Sequence, residues 1–465
     1  MAQNFLACDR DRRLLLPPDL RDWLPVGHLA WFVIEAVSEL DLSEFYAGYR
    51  DDGRGRAAHD PGMMVALVLY SYAVGVRSSR GIERRCHEDV AFRVICAGAQ
   101  PDHATIARFR AGHEEALGNL FAQVLALCAH SGLGSVGTVA VDSTGVAADA
   151  SRFQTRTYEQ VARELLEEAK RIDAAEDELY GDARGDELPP ELRTREGRRR
   201  KLREAKARLD EEKARREVEE EAELRERAER HARYRAEGKK PIGRPPKPPS
   251  ERQRRPKALR TNLTDPDSGL VKTPIGFIQG YNAQAVVCDD HLIVAAEIAA
   301  EGIDSRQLEP MIEAAGRELE AAGIQSRPAT VLADAGYFNS AHIEALEAEG
   351  TEVLVATRSG SAGKRAEQHR GTKPAPPKPR PGSVRERMAK TLARDEVKRR
   401  YKRRAALVEP VFGQIKSNRG CDRFTRRGMG AVRSEWRLFA TTHNLLPLWR
   451  ETVGAKTTNM ATATA

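Results

Sequence analysis

Two short apolar runs constrain this chain more than anything else in it. Thr138-Val-Ala-Val-Asp142 and Thr330-Val-Leu-Ala-Asp334 are rich in β-branched residues, and each ends in an aspartate. Runs of this length read as buried strands, so the aspartates fall at the rim of a sheet. A third stretch, Val408-Glu409-Pro-Val-Phe-Gly-Gln-Ile-Lys416, puts a glutamate on a segment that reads as helix. Carboxylates buried near one another are costly unless a cation neutralises them. Two strand-end aspartates and a helical glutamate meeting at one point would hold divalent metal. Two ions about 4 Å apart can activate an attacking oxygen and stabilise a leaving one in phosphoryl transfer. Each carboxylate taken alone also suits an ordinary turn or cap.

Further strand candidates are Ala285 to Cys288, Leu292 to Ile298 and Val353 to Ala356. Asp304, with Gln307 three residues on, predicts a capped helix whose apolar stripe is Leu308, Met311, Ile312, Ala315 and Leu319. Asn339 or Ser340 caps another helix that stops at Gly350. A Lys/Pro/Gly-rich linker over roughly 359–384 leads to a long basic helix carrying Glu409. The order strand, strand, strand, helix, strand, helix, strand, helix predicts an α/β fold, a mixed sheet flanked by helices.

Residues 1–135 read as an all-helical N-terminal domain that binds DNA. Leu29, Phe32, Val33, Ala36 and Val37 recur at helical spacing, and a second helix starts at Pro61 and runs through Met64, Leu67, Val68 and Tyr72. Asp102 or Thr105 caps a short helix carrying Arg108 and Arg110. A basic helix after a turn can enter a DNA groove; the same pattern suits a solvated helix face.

Residues 152–260 form an insertion dense in Glu, Lys, Arg and Ala. Tyr158, Leu165, Ile172 and Leu179 fall seven apart, a heptad-like stripe. A second, almost wholly charged helical stretch covers about 195–236. The two suit a coiled-coil-like hairpin around Pro189-Pro190, or one long solvated helix. The insertion ends in Lys239-Lys-Pro-Ile-Gly-Arg-Pro-Pro-Lys247, which resembles an AT-hook with Arg244 in a narrow minor groove, and which also reads as a flexible basic linker. Residues 451–465, rich in Ala and Thr, read as a disordered tail.

A length of 465 residues implies more than one compact unit. The formal charge of +7 favours nucleic acid only weakly; the basic runs at 398–404 and 423–427 matter more. The six cysteines show no C-x-x-C pair and no zinc-ligand spacing, as in a reduced, cytoplasmic protein. No stretch is apolar enough to span a bilayer. No G-x-x-x-x-G-K-[ST] loop is present, so no nucleotide cofactor is expected. Ser143 has no evident base beside it and Tyr401 no His/Arg partner set, which disfavours serine or tyrosine recombinase chemistry.

Across about residues 10–450 the chain resembles the DDE transposases of bacterial insertion sequences, with an InsH-type N-terminal domain and a long charged insert. The resemblance rests on Tyr72-Ala-Val-Gly-Val-Arg77-Ser-Ser-Arg80-Gly-Ile-Glu83, Pro101-Asp-His-Ala-Thr105-Ile-Ala-Arg108-Phe-Arg110, Thr264-Asp-Pro-Asp-Ser268, Gly280-Tyr-Asn-Ala-Gln284, Ala333-Asp334-Ala-Gly-Tyr337 and the Glu409 segment. It implies an RNase H-like catalytic domain over 136–151 and 261–450, with Asp142, Asp334 and Glu409 as the catalytic, metal-binding triad. Mg²⁺ is the usual ion, with Mn²⁺ expected to substitute. The implied partner is double-stranded DNA: terminal inverted repeats, cut at the element ends, and a target to which the 3′-hydroxyl is joined. A homodimer on paired ends and a nucleoid-associated place in a bacterial cytoplasm follow from the same resemblance. Tyr401, Arg404, Glu409 and Lys416 reproduce a family signature with one extra residue between Arg404 and Glu409. Lys416 lies two helical turns after Glu409, on the same face. With Arg403, Arg108, Arg110 and Arg244, the residues Tyr401, Arg404 and Lys416 are the expected DNA contacts. The first motif reads Asp142-Ser-Thr where glycine is commoner in second place, and the large insert precedes the second strand rather than following the second aspartate. A catalytically silent DNA-binding derivative and a metal-dependent nuclease share these features.

Overall fold

Helices come first and strands second, as the change of texture at Gly137 predicts. The computed structural model describes residues 19–49, 57–157, 160–161, 163–164, 195–236, 260–273, 276–299, 304–357 and 380–463. The chain divides into two compact units, one of residues 1–146, 282–425 and 430–465, the other of residues 147–281 and 426–429.

The first unit opens with α1 (Leu29–Ser38), α2 (Ser43–Tyr46), α3 (Pro61–Ala73), α4 (Ser79–Glu88), α5 (Val90–Ile95), α6 (His103–Gly112) and α7 (Glu114–His130). Pro61 opens α3, where its missing N–H costs nothing, and Asp60 accepts from the Met63 N–H. Asp102, not Thr105, caps α6, by accepting from the Thr105 N–H. α3 is buried on every side from Met64 to Ala73, so it is a core helix rather than an amphipathic surface one. These helices accordingly share one unit with the sheet.

The strands are β1 (Thr138–Ala147), β2 (Thr155–Thr157), β3 (Arg260–Asn262), β4 (Gly269–Thr273), β5 (Gly276–Cys288), β6 (Ile293–Ala299), β7 (Thr330–Ala333) and β8 (Glu352–Val355). In the first unit β6 pairs β5, β5 adjoins β1, and β1, β7 and β8 follow in order. β1 and β7 run parallel, as do β7 and β8, while β5 and β6 are antiparallel with an irregularity at Val286/Val287. The sheet is therefore mixed, and its apolar runs from Val139 to Val141, Ala283 to Cys288 and Val331 to Ala333 are buried, Gln284 among them.

Helices flank it: α9 (Leu308–Ala321), α10 (Ser340–Ala348), α11 (Val384–Leu392), α12 (Asp395–Gly413) and α13 (Met429–Ala463), with α8 (Arg195–Ala236) in the second unit. The stripe of α9 is buried as its spacing predicts, and Asn339 caps α10. Three expectations are corrected. Asp304 does not cap α9; it lies in a separate 3₁₀ turn, because its carboxylate accepts from the amides of Asn282 and Gln284 instead. The long basic helix is two helices, α11 and α12, broken at Ala393-Arg394. Residues 451–463 continue α13 instead of forming a disordered tail, Ala and Thr being compatible with helix once one is under way.

In the second unit β4 pairs with the opening residues of β5, and β2 pairs with β3; these short polar strands carry no periodic signal. Leu202, Ala205 and Leu209 of α8 are buried with Val161 and Leu263. The rest of α8 carries i,i+4 ion pairs such as Lys206–Asp210 and Arg216–Glu212. Tyr158, Leu165, Ile172, Leu179 and Arg244 lie outside the described residues.

Candidate active site

Strand register assembles the first two carboxylates. Val141 and Ala333 are the last partners of the β1/β7 ladder, so Asp142 and Asp334 come next on strands about 4.8 Å apart. Asp142 Oδ1 accepts from the Ser143 N–H (2.8 Å) and Oδ2 from Arg404 Nη1 (2.6 Å). Burial pushes the Asp142 carboxyl above the ordinary aspartate range and neighbouring Asp334 adds to this, while the Ser143 N–H and Arg404 pull it back. Asp334 Oδ1 accepts from the Gly336 N–H (2.7 Å), capping the 3₁₀ turn Ala335–Tyr337.

A third aspartate stands near Asp334, one that sequence reasoning treated only as a cap. A Cβ placed on Gly336 would lie 2.9 Å from Asp334 Oδ1 and 3.4 Å from Asp304 Oδ2. The glycine thus leaves room for both carboxylates. Asp304 Oδ1 accepts from Asn282 Nδ2 (2.9 Å) and Gln284 Nε2 (3.0 Å). Gln284 in turn accepts from the Tyr337 hydroxyl, and its carbonyl accepts from Trp436 Nε1 (2.8 Å). The available signal was Asn282-x-Gln284: two amides on one face of a strand call for an acceptor.

α12 lays a cationic face alongside β7, from the opening residues of β7 and β8 to the aspartate end. Arg400 pairs with Glu352, the Tyr401 hydroxyl donates to Ala333 O (3.2 Å), and Arg404 reaches Asp142. Val408 and Val411 continue this face and are buried, whereas Glu409 is exposed. Pro410, inside the helix, follows Glu409 directly, and the helix then loosens into a π-helical segment, Gln414–Asn418. That segment carries Lys416, whose Nζ donates to Thr144 Oγ1 (3.0 Å) and Gly145 O (2.7 Å). Asp142 and Asp334 therefore come together, and Glu409 stays outside the pair. Among the described residues, no group of three or more His, Cys, Asp or Glu is close enough to hold a metal ion. The pair offers hard oxygen donors of the kind Mg²⁺ takes, and Arg404 on Asp142 shows that this spot takes positive charge. Two such carboxylates suit a divalent ion whose remaining positions are filled by water or phosphate oxygens.

The expected DNA contacts separate. Arg403 pairs with Asp289 (2.7 Å) and Arg108 is exposed on α6. Arg110 is corrected: it is 5% exposed and its donors go to Arg77 O, Thr425 Oγ1 and the Tyr72 hydroxyl, with Glu435 at 3.7 Å. Arg77 donates to the carbonyls of Gly420 and Arg423. The arginine-bearing motifs at 77 and 110 thus brace residues 420–425, just beyond Lys416. In the second unit, buried Asp265 accepts from Tyr281 and the Gly428 N–H, and Asp267 from the Met429 N–H and Arg208. Thr264-Asp-Pro-Asp-Ser268 is a bracket for the turn that starts α13.

Residues 18–112 match the family described as transposase domain (DUF772), and residues 267–445 match the transposase DDE domain. Asp304, Asp334, Arg404 and Glu409 lie inside the second match, and Asp142 between the two. No curated protein and no solved structure matches the chain. The DDE domain has an RNase H-like fold, which the mixed sheet and its flanking helices display. Together the two matches cover more than half of the sequence, and the chain belongs to the DDE transposases of insertion sequences.

Proposed function

We propose that this transposase binds the terminal repeats of its element, cuts at the ends and joins the freed 3′-hydroxyl to target DNA, with Asp142, Asp334 and Glu409 as its metal-binding carboxylates. The observation that carries this is the β1/β7 register, which sets two aspartates side by side at the sheet rim. Mg²⁺, or Mn²⁺ in its place, would supply activation of the attacking oxygen and stabilisation of the leaving one. Asp142 and Asp334 hold the hard oxygens in place through the Ser143 and Gly336 N–H groups. Glu409 adjoins a proline and a π-helical segment, the two features that most readily re-aim a helix. On this reading it closes on the pair when DNA arrives. Lys416, Arg403, Tyr401 and Arg108 meet phosphates, which position the duplex without reading its sequence. The N-terminal helices, Arg244 and a second copy of the chain on the paired end complete the assembly.

Two observations favour a second reading, a catalytically silent DNA-binding derivative: Glu409 is exposed and Arg404 occupies Asp142. The two readings separate on a duplex carrying the terminal repeat, with Mg²⁺. The transposase nicks at the repeat end, and Asp334→Asn or Asp142→Asn lowers the rate by about a hundredfold or more. Undiminished nicking by Asp334→Asn would refute the carboxylate site. Tight binding without nicking by the wild type would leave the silent derivative.

A further inference from the structure

We infer that Arg404 is an internal counter-ion that holds Asp142 in the DNA-free chain, and that a DNA phosphate must draw it off before metal binds tightly. Metal and DNA binding are then coupled through one side chain. The inference rests on the proposed site, and the experiment below separates the two.

Arg404 Nη1 lies 2.6 Å from Asp142 Oδ2, with the two side chains only 18% and 21% exposed. This is not an exposed pair of the kind that contributes little. Three other cations of this helix and the π-helical segment are engaged elsewhere: Arg400 with Glu352, Arg403 with Asp289, and Lys416 with Thr144 and Gly145. Arg404 is the cation bonded to Asp142, and it offsets the repulsion between Asp142 and Asp334.

A divalent ion needs the same oxygens at about 2.1 Å, where a guanidinium already bonded to one of them repels it. The ion and Arg404 therefore compete. A guanidinium fork donates to phosphate oxygens in the geometry it uses for carboxylates. A phosphate reaching the strand ends can take Arg404 without leaving it unpaired, and Asp142 is released as the substrate docks. Linkage makes the effect reciprocal: whatever DNA does to metal affinity, metal does to DNA affinity.

The test is Mn²⁺ binding to the full chain, counted from the free-ion electron paramagnetic resonance signal, with and without terminal-repeat duplex. Arg404→Gln should bind Mn²⁺ about tenfold more tightly than wild type without DNA, and Arg404→Lys should stay near wild type. Adding duplex should tighten Mn²⁺ binding to wild type and leave Arg404→Gln nearly unmoved. Asp142→Asn should lose the binding in both conditions. Equal or weaker binding by Arg404→Gln, with Asp142→Asn still defective, overturns the inference and leaves the site reading intact. Wild-type Mn²⁺ affinity indifferent to duplex overturns it without any variant, should Arg404→Gln not fold. Asp142→Asn binding as wild type does would instead remove the site itself.

Discussion

Arg108 and Arg110 are two residues apart in one motif, and the fold gives them opposite fates. Two helical positions differ by about 200°, so one of the pair had to turn inward, and nothing in a sequence of alternating arginines says which. The inward one is Arg110, enclosed by Tyr72, Thr425 and Glu435. Removing one partner of a buried pair strands the other, at a cost of about 3–5 kcal/mol. Arg110→Ala should therefore lower unfolding free energy by that amount in urea titrations. Unchanged stability with lost DNA binding would return Arg110 to the DNA surface. His443 gives a second residue-scale test. It is buried, its Nε2 donates to His291 O (2.9 Å), and its Nδ1 has no partner among the described residues. Burial, with Arg419 nearby, pulls it from 6.5 down to about 3. The folded value lies below the unfolded one, so the neutral ring's contribution is complete above pH 6.5 and is lost as pH falls towards 3. Wild type should lose about 1.4 kcal/mol per pH unit below that point relative to His443→Gln. Parallel stability curves for the two proteins would refute the assignment.

At the scale of elements, what was legible followed period and register. The aspartate-tipped strands were readable because a buried strand needs no partner to announce itself, and parallel pairing in register then sets their ends together. The glutamate was not placeable in the same way. Arg404 and Glu409 are five residues apart, about 140° around a helix, so a straight α12 cannot turn both to Asp142. The extra residue noted between them is the physical cause, since a spacing of four would leave only about 40° between them. Asp304 was misread because a cap and an acceptor for two strand amides look alike without the strand. Gly75 shows how tightly the elements are joined. It has φ +81°, and a Cβ there would lie 2.7 Å from Arg419 O, a backbone atom that cannot swing aside. Gly75→Ala combines left-handed strain with that clash, and should cost about 2 kcal/mol or more. A thermal melt unchanged from wild type would mean that the chain beyond Lys416 is free to yield.

For the molecule as a whole, the question is how much of its positive charge is available to DNA. The basic runs at 398–404 and 423–427 hold nine lysines and arginines. Counted from sequence, nine phosphate contacts would give a slope of log affinity against log salt of roughly −8. The fold has already used part of this charge. Arg400, Arg403, Arg404 and Arg427 pair with Glu352, Asp289, Asp142 and Asp149. Such cations were placed beside carboxylates by folding, and each must give one up before it can release a counterion from a phosphate. The long charged α8 offers no simple reserve, because its basic residues alternate with acidic ones in i,i+4 pairs. Binding of a terminal-repeat duplex, followed by fluorescence anisotropy over a range of KCl, should therefore give a slope shallower than roughly −8 from these runs, by about one for each cation that stays on its carboxylate. A flat plot would mean that neither run faces DNA. A slope close to −8 would mean that all four pairs open on the duplex, and Arg404→Gln should then lower it by about one. That last value joins the residue to the molecule: the cation that leaves Asp142 would be counted again as a phosphate contact.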